Sequence, residues 1–325
     1  MTEMPPTLSV VIPLYRGADS IERVVADLAR LPIEGGMEIV LVNDCSPDDM
    51  LGACRRILAS CAVPVTVVDL ARNFGEHNAV LAGLRQTRGR WAVTMDDDGQ
   101  KPPSEVPKLL AAAQRGGYDA VFGRYLSKAH AVWRNWGSWF ANKVAEKVLD
   151  KPSGLYLSSF RCLNRFLIGQ VIRYEGPYPY IDGLILQCTR NLASVSVEHR
   201  ARGAGRSGYT LRKLVHLWLN MFVNFLVLPL RFATVLGLGM GALGLLGLVL
   251  VVVLFLTGRG PAFGWGSLMA ALLVFSGAQL VMLGLIGEYL GRTYLSANRR
   301  PQAVVRDVWH NRPGAVPEQG PASTD

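Results

Sequence analysis

Arg90-Trp91-Ala92-Val93-Thr94-Met95 reads as an apolar strand, and it runs straight into Asp96-Asp97-Asp98-Gly99-Gln100. Three carboxylates at the mouth of a strand repel one another and lose solvation if buried. A fold tolerates the arrangement where a cation sits. Closely placed Asp oxygens suit a hard divalent ion, Mg²⁺ or Mn²⁺, which in turn grips a diphosphate. In an open α/β sheet, ligands bind outside the carboxyl ends of the strands, where this run lies. The plainer alternative is a solvated acidic turn.

Working outward, strand and helix patterns alternate on both sides of the run. Leu8–Pro13 is expected as a buried strand, and Asp19–Leu31 follows with apolar residues at helical spacing. Strands are expected at Glu38–Asp44, Val63–Leu70 and Tyr118–Arg124, and helices at Asp48–Ser60, Glu76–Thr87 and Ser104–Gly116. This rhythm predicts an α/β fold with a parallel sheet covered by helices. Beyond it the pattern is less regular, with helices expected near Val132–Leu149, Asn164–Tyr174 and Ile181–Asn191.

Half of the 325 residues are apolar, but unevenly spread. Ala233–Leu256 and Gly260–Gly287 carry no charge. Each is long enough to supply the roughly 20 residues that cross a hydrocarbon core. Leu211–Leu228 carries Lys213, His216, Asn220 and Asn224 as one polar stripe, which suits a helix in the membrane interface; a third span is the alternative. The chain then divides into a soluble domain over 1–207, a juxtamembrane region over 208–232, two transmembrane helices over 233–292 and a tail over 293–325. In the tail, Pro301–Val308 is expected as an extended strand that adds to a sheet edge, exchanged between neighbouring subunits.

The net charge of +9 gathers near the apolar segments, with Arg200, Arg202, Arg206, Arg212, Lys213 and Arg231 before the first, and Arg292, Arg299, Arg300 and Arg306 after the second. The short Thr257–Trp265 loop holds only Arg259. The positive-inside rule therefore places the soluble domain and both termini in the cytoplasm, on a multi-pass inner membrane protein. No signal-peptide pattern opens the sequence. Charge flanking spans points to the lipid bilayer or a phosphorylated substrate as partner, not to nucleic acid. The five cysteines show no CxxC pair or metal spacing and read as free thiols.

Other strand ends supply further candidates. Asp44 stands where an acid accepts from a ribose hydroxyl or a base N–H; Asp48 is the better candidate for the helix N-cap. Pro13-Leu14-Tyr15 ends the first strand, with Tyr15 placed to pack on a nucleobase or on the domain surface. Arg72, in Arg72-Asn73-Phe74-Gly75, offers a guanidinium to phosphate, or is a surface cation. His199, Arg202, Gly205 and Ser207 form a His-x-x-Arg-x-x-Gly-x-Ser run that reads as a diphosphate clamp, as a basic patch drawn to lipid, or as both. Gly239-Met240-Gly241-Ala242-Leu243-Gly244 fits G-x-G-x-x-G, but it lies in an apolar span without a preceding strand. Helix contact through small residues explains it better.

Taken together, the acid run, Asp44 and the paired apolar segments resemble the family 2 glycosyltransferases, and within them the polyprenyl-phosphate glycosyltransferases. Val11-Ile12-Pro13-Leu14-Tyr15 is similar to the family's opening strand, and Val42-Asn43-Asp44-Cys45-Ser46 to its V-D-D-G-S. Arg72-Asn73-Phe74-Gly75-Glu76-His77-Asn78-Ala79 resembles the aminoarabinose-transferase branch. Met95–Pro103 matches M-D-x-D-x-Q-x-P-P, Ser159-Phe160-Arg161 resembles an acceptor-side segment, and Gly287-Glu288-Tyr289-Leu290-Gly291-Arg292 is similar to the family's second-span ending.

The resemblance implies a GT-A-type nucleotide-sugar-binding domain followed by interfacial helices and a transmembrane hairpin, assembled as a homotetramer. It implies a donor linked to UDP, GDP or dTDP and a polyprenyl phosphate acceptor. By position, Asp96 and Asp98 fall to the metal and diphosphate, Gln100 to the sugar, and Pro13, Tyr15, Asp44, Arg72 and Asp97 to the donor. Arg124, Arg161, His199, Arg202 and Ser207 fall to the acceptor or its phosphate. The chain departs from the pattern at Arg16-Gly17, where Asn-Glu is common, at Asn43, which replaces an Asp, and at Gly208, which replaces a Lys.

The implied reaction is inverting transfer of a sugar to a lipid phosphate. A phosphate monoester with a second pKa of about 6 is already largely ionised near neutrality, so a strong general base is unnecessary. Asp182 is a secondary candidate for a base or sugar contact. Two rival readings are a transferase acting on a hydroxyl and a non-catalytic membrane scaffold. The Q-x-x-R-W run of processive synthases is missing after the acid motif, and the intact acids argue against a scaffold.

Overall fold

The computed structural model describes residues 5–125, 152, 154–176, 179–198, 265–298 and 301–311, together with single helical positions between 235 and 257. The chain divides into two compact units, Met1–Gly208 with Pro301–Asp325, and Tyr209–Arg300.

The first unit is built on an eight-stranded sheet. Its strands are β1 (Leu8–Leu14), β2 (Met37–Asn43), β3 (Val65–Leu70), β4 (Trp91–Thr94), β5 (Ala120–Tyr125), β6 (Arg161–Asn164), β7 (Leu192–Val197) and β8 (Val305–His310), in the order β7-β5-β6-β4-β1-β2-β3-β8. β1 lies between β2 and β4, parallel to both, and β2 is parallel to β3. β1, β2 and β3 are almost wholly buried, as near-continuous apolar runs require when both faces of a parallel sheet are covered. The covering helices are α1 (Ala18–Ala29), α2 (Met50–Ser60), α3 (Glu76–Arg85) and α4 (Val106–Gly116). Each meets the expected helix to within a few residues at its ends. α3 sits closest to the sheet: a Cβ on Gly83 would lie 2.5 Å from Val11 Cγ1 and 2.9 Å from Val42 Cγ2. α4 ends on Gly117, whose positive φ closes the helix in the left-handed region.

The expectation of a parallel sheet needs amendment in its second half. The helix expected from Asn164 forms as α5 (Arg165–Val171), with Asn164 as its N-cap, but an unexpected strand, β6, precedes it and is antiparallel to both β4 and β5. Likewise the helix expected to Asn191 stops at Cys188 as α6 (Ile181–Cys188), and β7 follows, parallel to β5. β6 has four residues and is buried, and β7 has six and is only partly covered; both pair with strands distant in sequence, and neither is long enough to show a clear period of its own. The tail strand forms as β8, antiparallel to β3 of the same chain, with Val68 facing Val308 and Val67 facing Trp309. Gln302 Nε2 donates to the carbonyls of Tyr174 and Gly176, and Asn311 Oδ1 accepts from Val65 N–H, so the segment is held at both ends.

In the second unit α7 (Trp265–Ala297) is one helix of 33 residues. Counted over the described residues alone, no helix is long and apolar enough to cross a membrane. The full sequence of α7, however, has no Asp, Glu, Lys or Arg before Glu288. Leu268, Leu272, Leu280, Leu283 and Leu290 on it are exposed. The helices expected at Val132–Leu149 and Leu211–Leu228 lie outside the described residues.

Candidate functional site

The carboxyl ends of β1, β2, β3 and β4 meet at one edge, and their loops are tied together by side chains. Asp97, the middle acid of the run, accepts the Tyr15 N–H at Oδ2 (3.0 Å), and its carbonyl accepts the Ser20 hydroxyl (2.7 Å). A Cβ at Gly17 would collide with the same carboxylate, so the β1–α1 loop needs glycine there. Burial, reinforced by Asp96 and Asp98, pushes the Asp97 carboxyl up to about 7, against the lowering pull of the Tyr15 N–H.

The β2–α2 loop closes on the same place. Ser46 Oγ accepts from Arg16 N–H (2.7 Å), and Asp48 Oδ2 accepts from Ala18 N–H (3.0 Å). Asp48 therefore does not cap α2, as its position suggests; it caps α1 from the neighbouring loop. Asn43 Nδ2 donates to Asp69 Oδ1 (2.7 Å), and Asn43 Oδ1 accepts from Ser46 N–H. An ionised Asp at 43 cannot donate to Asp69, which gives the Asn43 departure a local cause. Arg16 and Cys45 both have positive φ, 61° and 50°. Such strain in non-glycine residues gathers at sites that the surrounding fold over-determines.

Asp44 is buried, and both of its oxygens are engaged: Oδ1 accepts from Phe74 N–H (2.7 Å) and Oδ2 from Gly75 N–H (2.8 Å). Burial raises its pKa, and these two bonds oppose the rise. The residue expected at the nucleoside thus fixes the β3–α3 loop and the start of α3. In that loop the exposed Arg72 lies over the Phe74 ring at 4.6 Å, and at the end of β1 Arg16 lies over the exposed Tyr15 ring at 5.3 Å. Pro13 stays inside β1, partly covered.

Among the acids expected at a metal, Asp98 Oδ1 accepts the Gln100 N–H (3.1 Å). Asp96 Oδ2 is 2.5 Å from Lys101 Nζ and 3.3 Å from Ser159 Oγ. Lys101 is buried, and Nζ also donates to Ser159 Oγ (2.6 Å). Among the described residues no group of three or more His, Cys, Asp or Glu side chains forms a cage for a metal ion. Two carboxylates at a strand end still fit Mg²⁺ or Mn²⁺, because such ions commonly take one or two carboxylates and complete their shell from substrate phosphates and water.

Behind the acid run lies a second polar cluster. Arg161, expected at the acceptor phosphate, is fully buried; its guanidinium pairs with Asp182 and donates to Thr94 Oγ1 (3.2 Å). Thr94 in turn donates to the Ser159 carbonyl (2.6 Å). Burial raises the Asp182 pKa, with Arg161 opposing. His77 packs edge-on against Tyr180 at 5.3 Å, and among the described residues its Nδ1 is buried without a hydrogen-bond partner. Burial, aided by Arg161, pushes the His77 imidazole down to about 4. Arg124 is exposed near the end of β5. His199, Arg202 and Ser207 lie outside the described residues. The sequence reading assigned no role to Lys101 or Thr94; an ammonium next to a run of carboxylates was the available signal.

This arrangement has known counterparts. Over 319 residues the chain is 32% identical to undecaprenyl-phosphate 4-deoxy-4-formamido-L-arabinose transferase of Pseudomonas savastanoi pv. phaseolicola, covering 96% of this chain and 93% of that protein. It is 34% identical over 316 residues to the enzyme of the same name from Serratia proteamaculans, covering 94% and 95%. Among solved structures, glucosyl-3-phosphoglycerate synthase from Mycobacterium tuberculosis, in complex with phosphoglyceric acid, superposes with a TM-score of 0.50 at 20% identity, over 68% of this chain and 79% of that one. That likeness concerns the fold, a mixed α/β sheet of GT-A type. The profile of glycosyl transferase family 2 matches residues 9–171, which include every strand end of the site, and the chain belongs to that family.

Proposed function

We propose that the protein transfers a sugar, with inversion, from a nucleotide-linked donor to undecaprenyl phosphate. The observation that carries this reading is the extent of the similarity. The relatives that bear this acceptor in their names match 96% and 94% of the chain, apolar segments included. A transferase sharing only the sheet domain has no reason to match beyond it.

In this reading the lipid phosphate oxygen attacks the anomeric carbon opposite the departing diphosphate, and negative charge grows on the leaving group. Asp98 and Asp96, with the donor's own phosphate oxygens, form the oxygen set for Mg²⁺ or Mn²⁺, which supplies charge neutralisation when bound. Tyr15 offers its exposed ring to the nucleobase, Arg72 its guanidinium to phosphate, and Gln100 its amide to the sugar. Arg202 and Ser207 meet the lipid phosphate. The second unit anchors the enzyme: the uncharged part of α7 suffices to span a bilayer, and a Cβ on Gly237 would lie 2.8 Å from Met282 Cε, as close packing of two apolar helices requires. The basic flanks favour a cytoplasmic sheet domain by the positive-inside rule, and the family resemblance supports a homotetramer.

Incubating the purified protein with undecaprenyl phosphate, Mn²⁺ and a panel of UDP-, GDP- and dTDP-sugars tests the reading. A lipid-linked sugar product is expected from one donor class. Transfer to a hydroxyl acceptor, with none to the lipid phosphate, overturns it.

A further inference from the structure

We propose that Arg306, on the tail strand β8, is a positioning residue for the Arg72 loop, so that the returning end of the chain sets where the donor phosphate is met. The inference rests on the reading of Arg72 as a donor contact. It starts from an irregularity in the sheet. Along the β3–β8 pair, Asp307 stands opposite Asp69 and Val305 opposite Leu70, so Arg306 has no residue across from it in the register. One extra residue on one strand of an antiparallel pair is a β-bulge, a device that re-aims a side chain and recurs next to active sites.

The re-aimed side chain meets the end of β3. Arg306 Nη2 donates to the Ala71 carbonyl (3.2 Å), and Nη1 lies 3.9 Å from Asp69 Oδ2. The Ala71 N–H donates to the Val304 carbonyl (2.9 Å). The tail therefore holds both backbone polar groups of Ala71, and the Ala71 carbonyl belongs to the peptide group that leads into Arg72. Arg72 and Asn73 are exposed, and beyond them the loop is held again, where Asp44 accepts from the Phe74 and Gly75 N–H groups. The loop is thus clamped at one end by the tail and at the other by the acid that follows β2. Buried Asp69 joins the two sides: its Oδ1 accepts from Asn43 Nδ2, and Asn43 holds the Ser46 N–H of the β2–α2 loop.

The plainer use of Arg306 is stability, and magnitudes decide against it. Its side chain is 57% exposed and its ion pair to Asp69 is long. Exposed pairs of this kind contribute little to a fold. A bond to the backbone where a loop leaves a strand acts differently, because it fixes the direction in which the next residue emerges. Arg72 gains from such a fix. A guanidinium grips phosphate oxygens through paired hydrogen bonds of set geometry, so a displaced Arg72 loses affinity even though its own side chain is intact.

Calorimetric binding of UDP, GDP and dTDP to the full chain in detergent, with Mn²⁺ present, tests this in a double-mutant cycle with Arg72. For a nucleotide that the wild type binds, Arg306→Met is expected to weaken binding about fivefold to tenfold while the thermal midpoint and the light-scattering mass stay unchanged. Arg306→Lys keeps a donor for the Ala71 carbonyl and is expected to stay within about threefold of the wild type. Arg72→Met should weaken binding at least as much as Arg306→Met, and the double variant should lose no more than about twofold beyond Arg72→Met alone. Losses that multiply in the double variant show that Arg306 acts apart from Arg72 and overturn the proposal. So does wild-type affinity in Arg306→Met, or an equal loss in Arg306→Lys. Should Arg306→Met not keep its thermal midpoint, the same cycle with Arg306→Gln decides. These failures leave the donor reading of the loop standing. Wild-type affinity in Arg72→Met, or a wild type that binds none of the three nucleotides, overturns that reading and the proposal with it.

Discussion

Asp96, Asp97 and Asp98 are adjacent and chemically identical, yet each has a different neighbour: an ammonium, the Tyr15 N–H and the Gln100 N–H. Asp98→Asn is expected to abolish transfer while leaving the thermal midpoint unchanged, since it removes a repelling charge from a partly exposed loop. Asp96→Asn should lower activity less. It should also destabilise by about 1–3 kcal/mol, because it leaves the Lys101 ammonium facing a neutral amide. Activity assays and thermal unfolding of the two variants check both halves. His77 makes a pH prediction. Its folded-state pKa of about 4 lies below the ordinary 6.5, so the unfolded chain takes up a proton first as pH falls. Its contribution is fully present above pH 6.5 and is lost as pH drops towards 4. Asp97, raised to about 7, acts in the opposite sense, favouring the fold as pH falls. The His77 effect is therefore read as a difference: His77→Gln should lose less thermal midpoint than the wild type between pH 6.5 and 4.5. Equal losses would show that the imidazole does not titrate as placed.

At the scale of elements, α3 links the core to the site. Gly83 lets the helix lie against Val11 of β1 and Val42 of β2, while the start of the same helix hangs from Asp44 through Phe74 and Gly75. Gly83→Ala pushes a methyl group into buried valines, and a cost of about 1–3 kcal/mol is expected despite the better helix propensity of alanine. A thermal midpoint equal to or above that of the wild type would show that α3 can shift without strain. For α1 and α4 the expected and the observed helices agree because their buried residues recur at helical spacing. β6 and β7 escaped the sequence reading for the converse reason. A strand of four to six residues shows almost no period, and β6 exists only because β4 and β5 leave a gap that it fills.

For the whole molecule, β8 is the telling element, since it brings the end of the chain back to the edge of a sheet whose core strands lie more than two hundred residues earlier. Exchange of this strand between subunits remains the proposed lock of the homotetramer. Truncation after Arg300 should convert the detergent-solubilised oligomer into smaller species, as measured by light scattering; an unchanged mass removes the tail from the assembly. The sequence by itself determined the βα alternation, the acids at a strand mouth, the uncharged segments and the edge-seeking tail. Each is a local pattern, a period or a run, that burial and charge impose on neighbouring residues. Only the tertiary structure decided that Asp44 anchors a loop, that Asp48 caps a helix not its own, that Arg161 is locked to Asp182 and that Lys101 neutralises Asp96. These partners are five to 31 positions apart in no fixed order, and a hydrogen bond between such residues leaves no regular spacing in the sequence; it exists only once the strands have set their register.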